Sequence, residues 1–350
     1  MTRVVILGAG VMGTAFGLPL SDRGMEVRLV GTHLDRDLVV AMKETRVHPR
    51  LKAEIGANIA VYQDSEMAEA FAEPADLIVG AISTPGIEWA IERFAEHLRG
   101  TPPIVLLTKG ISREPEKVEI LPDLVAREFA RMGVAHGPLG AIGGPCIAGE
   151  LAVSHQTSAL IGFRDIALAR HWAEAIATPY YHLRATDDLV GLEICAALKN
   201  FYAIGVSTPA GHAEIAPAVN GAGQNNAVAS LFNQAIAELR AIVAASGGVE
   251  ETALGLAGLG DLHVTCQAGR NSRLGRLIGK GVSYREAMDG PLKGETVEGT
   301  LVAEALAAPL ATYAAAGKLP EAAVPLARAI IACVTANAGF KMDLDPYHRG

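Results

Sequence analysis

The sequence predicts an α/β protein that begins with a doubly wound parallel sheet and ends in an all-helical part. Three observations support this fold class. Short apolar runs alternate with helical patterns in the first half, and strands almost vanish after residue 187. In addition, 50% of the residues are hydrophobic but only 5% are aromatic, so the core consists mainly of aliphatic side chains. Continuous apolar runs are typical of strands buried on both faces, as in a parallel sheet covered by helices.

The predicted elements of the first part alternate in order along the chain. The strands are Val4–Leu7, Glu26–Val30, Ala75–Ala81 and Ile104–Thr108, with Leu139–Gly143, Ser158–Gly162 and Tyr180–Leu183 as further candidates. The helices are Val11–Arg23, Asp35–Thr45, Gly86–Leu98 and Glu116–Met132. Because short links join the strands to the helices, a doubly wound sheet fits this order.

The second part consists of long helices rich in Ala and Leu. They are predicted at Leu189–Val206, Asn226–Ala245, Val297–Ala316 and Glu321–Asn337. Asp187 and Asp188 are suitable N-caps for the first of them, which divides the chain into domains 1–187 and 188–350. We expect Ser207–Gln224, which contains several Gly and Pro residues, to be a loop. Long helices with few charges would also suit a homodimer.

Composition excludes several classes of function. The 350 residues carry a net charge of −8, which argues against partners such as nucleic acid or an anionic membrane surface. The spacing of the four cysteines fits neither a zinc site nor a disulfide framework, so we expect reduced thiols, no metal and a cytoplasmic location. We find no run of about 20 uncharged apolar residues and predict no membrane span.

A glycine-rich turn directly follows the first predicted strand and opens the first helix. Its residues are Gly8, Gly10, Val11, Met12 and Gly13. The glycines permit a tight turn, close approach of a pyrophosphate and close packing of helix on strand, while the helix N-terminus attracts phosphate. In this position the pattern predicts a Rossmann domain that binds a dinucleotide.

The choice of cofactor is expected to depend on the end of the second strand. NAD sites usually place an acid there to bond the ribose 2′-hydroxyl. Here Thr32 and His33 follow the strand, and Asp35 and Arg36 come later. With no acid at the strand end, we expect NADP or NAD as cofactor, with NADPH favoured. Thr32, His33 and Arg36 would then surround the 2′-phosphate.

Four segments place polar residues among small or apolar ones. Lys109 ends a predicted strand, at the sheet edge where ligands of open α/β sheets bind. The segment 143–150, GGPCIAGE, indicates a loop whose backbone approaches a ligand. Lys199 lies on a helix face of small residues, where burial would lower its pKa and suit it to proton exchange. After GLGDLHVTC, Arg270 and Asn271 offer a guanidinium fork for a phosphate.

Together these segments resemble the NAD(P)-dependent sn-glycerol-3-phosphate dehydrogenase family. The similar blocks are GAGVMGTAF, LLTKGI, GGPCIAGELA, GLEICAALKN, GLAGLGDLHVTC, GRN and TVEG, which follow the family's order over nearly the whole chain. The resemblance implies reversible reduction of a small phosphorylated substrate, dihydroxyacetone phosphate, to sn-glycerol 3-phosphate, feeding phospholipid synthesis.

The resemblance also implies roles for single residues. Lys199 matches the family's general acid/base, and Lys109 matches a catalytic lysine that contacts substrate near the nicotinamide. Asp261 either orients Lys199 or bonds a substrate hydroxyl. Arg270 and Asn271 match the phosphate-binding pair, and Arg270 also matches a cofactor contact. The other residues implied at the substrate are Gly144, Cys146, Asn200 and Thr265, and those implied at the cofactor are Ala148 and Glu298.

Some positions depart from the family pattern. Family members usually carry Ser, Thr or Asn at Cys146, and commonly an arginine where this chain has Asn233. The segment 205–224 is also unusual, so a related polyol phosphate stays open as substrate. Two rival interpretations remain. The first is a ketopantoate-reductase-like or 3-hydroxyacid dehydrogenase, whose carboxylate substrate would equally suit Arg270. The second is a nucleotide-binding protein without turnover.

Overall fold

The computed structural model describes residues 1–341 and 344–345, which divide into two compact units. The first unit contains Met1–Lys109 and Leu121–Leu189. The second contains Gly110–Ile120 and Val190–Gly350, so it includes a short segment from the first half of the sequence. Whether 1–187 and 188–350 are independent domains stays a prediction.

The first unit is built on one eight-stranded sheet with the order β10-β9-β8-β7-β6-β1-β2-β5. Its strands are Arg3–Leu7 (β1), Glu26–Val30 (β2), Val47–His48 (β3), Ala53–Glu54 (β4), Ile59–Tyr62 (β5), Leu77–Gly80 (β6), Ile104–Leu106 (β7), Leu139–Gly143 (β8), Thr157–Phe163 (β9) and Tyr181–Thr186 (β10). The small β3 and β4 pair with each other. Neighbours in the large sheet are parallel, except that β8 and β9 are antiparallel.

Helices cover both faces of this sheet, as the sequence predicts. They are Val11–Asp22 (α1), Arg36–Thr45 (α2), Met67–Ala70 (α3), Ile87–His97 (α4), Leu121–Met132 (α5), Ala148–Ala152 (α6) and Ile166–Ile176 (α7). Alternate residues of β1 enter two separate apolar clusters: Val4 and Ile6 pack with Phe16 of α1, and Val5 packs with Phe94 of α4. The predicted doubly wound fold is therefore confirmed.

The order of the strands reverses at β1. The chain moves from β1 to β2 and β5 on one side, then crosses to β6, β7 and β8 on the other side. In open α/β sheets, ligands bind at such a switch point, outside the carboxyl ends of the strands. The glycine turn after β1 lies at this point.

The second unit is helical, which confirms the predicted character of this part. Its helices are Leu189–Val206 (α8, whose first residue belongs to the first unit), Thr208–Ile215 (α9), Asn225–Ala245 (α10), Asp261–Gln267 (α11), Arg270–Gly279 (α12), Tyr284–Asp289 (α13), Glu298–Ala315 (α14) and Pro325–Ala336 (α15).

The prediction of a loop at Ser207–Gln224 is wrong for its first half, which forms α9. Gly211 permits close packing rather than a turn, because a Cβ there would lie 2.0 Å from the Arg276 carbonyl oxygen of α12. Gly279 of α12 has the matching role against Thr208. Glycines that allow two helices to touch look the same in a sequence as glycines that end a helix.

Two stretches are long and apolar enough to cross a membrane by length and composition. They are Leu189–Ile215 and Asn225–Ala245, with mean hydropathies of 1.5 and 1.3. The 18-residue segments with these mean hydropathies are 94% and 39% buried inside the protein, respectively. The core helix of a soluble protein can be equally long and apolar, so length and composition alone are weak evidence for a membrane span.

Candidate functional site

The glycine turn has the geometry of a phosphate-binding loop. Gly8 has φ +115°, and a Cβ there would lie 2.3 Å from the Ala81 carbonyl oxygen. A Cβ on Gly13 would lie 2.0 Å from the carbonyl oxygen of Gly8. At Gly10, by contrast, no described atom lies within 4 Å of the Cβ position. Two glycines thus close the turn and the third leaves it open above the N-terminus of α1, which fits the pyrophosphate of a dinucleotide.

The predicted phosphate-contacting residues Val11 and Met12 form the first residues of α1, and Val11 is 39% exposed. This first turn of α1 holds no acidic residue. Its amide groups and the helix dipole therefore favour an anion. These residues could hold the phosphates of NAD or NADP.

The end of β2 corrects one expectation. The carboxylate of Asp35 turns back to the strand end, where it accepts hydrogen bonds from the Thr32 amide at 3.0 Å and the Thr32 hydroxyl at 2.8 Å. An acid therefore does lie there. The predicted neighbours of a 2′-phosphate are engaged elsewhere: Arg36 pairs with Asp64 at 3.0 Å, and the His33 ring stands 5.7 Å from the ring of Trp89.

A pocket of about 280 Å³, including space that opens to solvent, lies at the carboxyl ends of β7 and β8. Four predicted site residues line it: Met12, Lys109, Gly144 and Cys146. The other four lining residues are Leu107, Ile142, Gly143 and Tyr181. Lys109 Nζ donates to the Gly144 carbonyl oxygen at 3.1 Å. Gly144 has φ +115°, which only glycine adopts readily. Predicted cofactor residue Ala148 begins α6 just beyond this turn.

Tyr181 is the unexpected residue of this pocket. Its side chain is fully buried, and its hydroxyl has no hydrogen-bond partner among the described residues. Burial, and to a lesser degree the charge of Cys146, raises the pKa of Tyr181 well above 10. The phenol therefore stays neutral. Leaving a buried polar group without a partner costs about 1–3 kcal/mol, which is unusual unless a ligand or water satisfies it.

In the second unit, the predicted catalytic lysine forms a buried polar cluster. Lys199 Nζ of α8 donates to Asp261 Oδ1 at 2.8 Å and to the Thr265 hydroxyl oxygen at 2.8 Å. Lys199 is 9% exposed and Asp261 is 1% exposed. The Asp261 carboxylate and the Lys199 amino group thus form a buried ion pair, with 2.8 Å between Nζ and Oδ1. The cluster therefore holds the Lys199 amino group, a candidate proton donor, in a fixed direction.

The local backbone explains how Asp261 reaches Lys199. Residues Leu256–Gly260 form one π-helical turn, with the Gly260 amide donating to the Gly255 carbonyl oxygen, directly before α11 begins at Asp261. Such turns are rare and often occur at functional sites. Cys266 lies near the cluster: burial raises the pKa of its thiol to about 12, although the charge of Lys199 opposes this. The thiol is therefore protonated.

The predicted phosphate-binding residues lie at the start of α12. Arg270 pairs with Glu298 of α14. Asn271 donates to Asn200 Oδ1 of α8 at 2.9 Å and accepts from the Gly299 amide of α14 at 2.9 Å. Asn271 is 5% exposed. Its amide therefore ties three helices together, while the partly exposed Arg270 retains N–H donors beyond the Glu298 contact.

Within each unit, the structure brings predicted residues together. In the second unit these are Lys199, Asn200, Asp261, Thr265, Arg270, Asn271 and Glu298. Sequence reasoning missed the position of Asp35 and the presence of Tyr181 in the pocket lining. Asp35 follows Thr32 by three residues, the Thr-x-x-Asp spacing of a capping box in which the acid bonds back to the first residue's amide, so a signal was present. Among residues 1–341 and 344–345 there is no group of three or more His, Cys, Asp or Glu placed to hold a metal.

Comparison with known proteins agrees with this geometry. Residues 3–169 match the model of the NAD-dependent glycerol-3-phosphate dehydrogenase N-terminus, and residues 188–342 match that of the C-terminus. An NADP(+)-dependent glycerol-3-phosphate dehydrogenase of Archaeoglobus fulgidus is 34% identical over 82% of this chain and 82% of the relative. A Chelativorans glycerol-3-phosphate dehydrogenase [NAD(P)+] is 34% identical over 79% of this chain and 80% of its own length.

A solved structure gives the same result. The glycerol-3-phosphate dehydrogenase of Coxiella burnetii has a TM-score of 0.79 and 25% identity, and the match covers 97% of this chain and 96% of that one. With both halves of the chain matched and relatives above 30% identity, this chain is an NAD(P)-dependent oxidoreductase that belongs to the NAD-dependent glycerol-3-phosphate dehydrogenase family.

Proposed function

We propose that the chain catalyses the reversible reduction of dihydroxyacetone phosphate to sn-glycerol 3-phosphate with NADPH or NADH. The observation that carries this proposal is the buried ammonium of Lys199, held by Asp261 and Thr265 in the same unit that presents Arg270. A proton donor beside a phosphate-binding fork is what reduction of a phosphorylated ketone requires. The names of the relatives support the same substrate.

We assign the proton transfer to Lys199. When bound, the cofactor supplies a hydride to the keto carbon of the substrate. Lys199 then donates a proton to the ketone oxygen as that oxygen gains negative charge. Asp261 favours the charged lysine before the transfer, and with Thr265 it fixes the direction of the donor. In the reverse direction the same lysine, once neutral, accepts the proton.

We assign the phosphate to the start of α12. Arg270 has a planar fork that matches phosphate oxygens, and the first turn of α12 contains no acidic residue. A helix N-terminus adds positive dipole and amide donors. Asn271 supports this site mainly by positioning, because its side chain already bonds Asn200 and Gly299.

The role of Lys109 at the substrate stays a prediction. Within the first unit it is supported by the bond to Gly144 in the pocket that Met12 and Cys146 also line. Its positive charge suits stabilisation of a developing oxyanion. The contacts of Gly144, Cys146 and Ala148 with substrate or cofactor are proposals of the same kind.

We also infer a cytoplasmic enzyme that feeds glycerophospholipid synthesis. The described cysteines are free thiols, which suits a reducing compartment. sn-Glycerol 3-phosphate is the backbone from which glycerophospholipids are built, so a chain of this activity would supply it. The proposed homodimer rests on the apolar helices of the second unit alone.

The first test is oxidation of NADPH and NADH by the purified chain with dihydroxyacetone phosphate, compared with a four-carbon ketose phosphate and with ketopantoate. We expect turnover to be fastest with dihydroxyacetone phosphate. The Lys199→Ala variant should lose at least about 10²-fold in kcat, because the general acid is removed. A small primary amine added to this variant should restore part of the rate.

The control is Lys280→Ala, which removes a lysine of the second unit that pairs with Glu214. Its kcat should equal that of the wild type. Lys199→Ala leaves Asp261 buried without its lysine partner, so far-UV circular dichroism must show that the variant is folded. If Lys199→Ala does not fold, Lys199→Met, which retains most of the apolar stem, replaces it in the kinetic test. Near-normal kcat in a folded Lys199 variant would contradict the assignment, and faster turnover of ketopantoate would contradict the proposed substrate.

A further inference from the structure

Tyr181, whose hydroxyl is buried, is one of the residues that line a pocket with mainly apolar walls. Met12, Leu107 and Ile142 supply those walls, and Lys109 and Cys146 supply polar atoms. The Tyr181 ring is held in place by the edge of Phe16, with 6.3 Å between ring centroids. Its hydroxyl has no hydrogen-bond partner among residues 1–341 and 344–345, although the side chain is completely buried. A buried hydroxyl without a partner, on a residue that lines a pocket, points to a ligand that satisfies it.

Strand order indicates which part of a dinucleotide would reach this pocket. The pyrophosphate belongs at the glycine turn after β1, and the adenosine ribose belongs at the end of β2. The other half of the dinucleotide must then extend across the opposite side of β1, over β6, β7 and β8. Lys109 follows β7 and Gly144 follows β8, so the pocket lies on the nicotinamide side of the switch point.

We infer that Tyr181 hydrogen-bonds the carboxamide of the nicotinamide ring, an inference that rests on the proposed function and adds a cofactor-binding residue to it. The pocket's apolar walls suit a flat ring, and the carboxamide is the ring's one polar substituent. A neutral phenol both donates and accepts, so it can pair with either end of an amide. Because Tyr181 lines the pocket at the ends of β7 and β8 and not the glycine turn after β1, its hydroxyl would contribute to binding of the nicotinamide and not of the rest of the cofactor.

The test compares two ligands in two variants by isothermal titration calorimetry. The ligands are whichever of NAD+ and NADP+ binds more tightly, and the matching fragment without nicotinamide, ADP-ribose or its 2′-phosphate. Tyr181→Phe removes the hydroxyl and leaves the ring. Tyr180→Phe is the matched control, because the neighbouring hydroxyl bonds Asp22 and does not line the pocket.

In Tyr181→Phe we expect the affinity for the whole cofactor to fall by about 3- to 10-fold, the effect of one neutral hydrogen bond. The affinity for the fragment should change less than about twofold, and Tyr180→Phe should leave the ratio of the two affinities unchanged. The melting temperature of the ligand-free Tyr181→Phe protein should not fall, because the hydroxyl has no partner to lose.

Equal affinity of Tyr181→Phe and wild type for the cofactor would overturn the inference while leaving the proposed function intact. An equal loss for cofactor and fragment, or a lower melting temperature without ligand, would also overturn it, since the hydroxyl would then act elsewhere. If the wild-type chain binds neither ligand and oxidises no cofactor, the proposed function itself fails.

Discussion

At the scale of single residues, Asp35 lies where the adenosine ribose of the cofactor is expected, at the end of β2. Its carboxylate lies at the end of β2, bonded to Thr32 through one oxygen. An acid there can bond the 2′-hydroxyl of NAD and repels the 2′-phosphate of NADP. This position weighs against the preference for NADPH that the sequence favours, while the Archaeoglobus fulgidus relative is named as NADP(+)-dependent.

Replacement of Asp35 by Asn therefore has a predictable direction. An asparagine keeps an oxygen for Thr32 but removes the negative charge. We expect the ratio of kcat/KM for NADPH to that for NADH to rise about tenfold, which corresponds to about 1.4 kcal/mol of relieved repulsion. Steady-state kinetics with both cofactors measure it. The control is Asp37→Asn in the first turn of α2, which Asp35 precedes, and it should leave the ratio unchanged. A wild-type ratio in Asp35→Asn would show that Asp35 does not contact the ribose.

Tyr181, the first residue of β10, and its neighbour Tyr180 show why part of the site could not be predicted. The glycine turn and Lys199 were predictable because their residue types and spacing express a local requirement for backbone shape or small neighbours. Tyr180 and Tyr181 are adjacent, yet the Tyr180 hydroxyl bonds Asp22 whereas Tyr181 lines the pocket. Which one reaches the pocket depends on how β10 lies in the sheet, and no local pattern encodes that. The identical side chains therefore gave no signal.

At the scale of elements, Glu238 joins three helices of the second unit. From α10, its carboxylate accepts hydrogen bonds from the amides of Leu326 and Ala327, both at 2.7 Å, in the first turn of α15. It also accepts from Gln234 and from the Tyr202 hydroxyl of α8. The N-cap residue of α15 makes no side-chain cap, so a carboxylate from another helix performs this function.

Glu238 should also make stability depend on pH. Burial raises its pKa from 4.5 to about 7, although its four hydrogen-bond donors oppose the shift. Between these values the folded chain binds a proton that the unfolded chain does not. The unfolding free energy therefore falls as the pH rises from about 4.5 to about 7, by about 3 kcal/mol if the full shift applies. Below about pH 4.5 the Glu238 carboxyl is protonated in both the folded and the unfolded chain, so its titration no longer changes the unfolding free energy.

Urea unfolding across this range, followed by circular dichroism, tests the effect. Glu238→Gln cannot ionise, so its unfolding free energy should fall less steeply than that of the wild type between pH 4.5 and 7. The variant should be less stable at low pH, because its NH₂ group faces a donor. Exposed Glu251→Gln should follow the wild-type curve. Parallel curves for Glu238→Gln and wild type would contradict the shifted pKa as the source of the dependence.

The elements themselves were predicted best where one apolar run filled one strand or helix. Glu26–Val30 and Leu139–Gly143 have the predicted bounds, whereas the helix expected at Glu116 begins at Leu121. The residues before it do not continue the helix: Ile111 and Ile120 form an antiparallel bridge. Strand direction was also beyond the sequence, since most residues of β9 are buried, like those of the parallel strands β1, β6 and β7, although β9 runs antiparallel to β8. Pairing across the sheet decides it.

At the scale of the whole molecule, the net charge of −8 does not conflict with phosphorylated ligands. The proposed reaction needs a few cations at chosen positions, and Lys109, Lys199 and Arg270 supply them. Each of these three contacts an oxygen of the protein, at Gly144, Asp261 and Glu298 respectively. Their side chains are thereby held in defined positions, which a surplus of mobile surface lysines would not achieve.

The division of the chain gives the last prediction, because the second unit includes Gly110–Ile120. This segment binds α14 at three points: the Val118 amide donates to the Tyr313 hydroxyl at 3.1 Å, Arg113 pairs with Glu304, and Thr312 donates to the Pro115 carbonyl oxygen. A fragment cut at the predicted boundary, 188–350, lacks these partners. It should be less stable than the same fragment with 110–120 attached by a flexible linker.

We expect this difference to be at least about 2 kcal/mol in unfolding free energy, from the lost burial around Tyr313 and the lost hydrogen bonds. That is a large share of the roughly 5–15 kcal/mol that stabilises a typical protein. Urea denaturation of both fragments measures it, with a scrambled 110–120 sequence on the linker as control. If the bare fragment unfolds at the same urea concentration as the extended one, the segment contributes nothing to the second unit, and the boundary at 187/188 describes an independent domain. If only the native segment restores stability, the helical part requires a piece of chain that precedes it by about 70 residues, as the ranges of the two units imply.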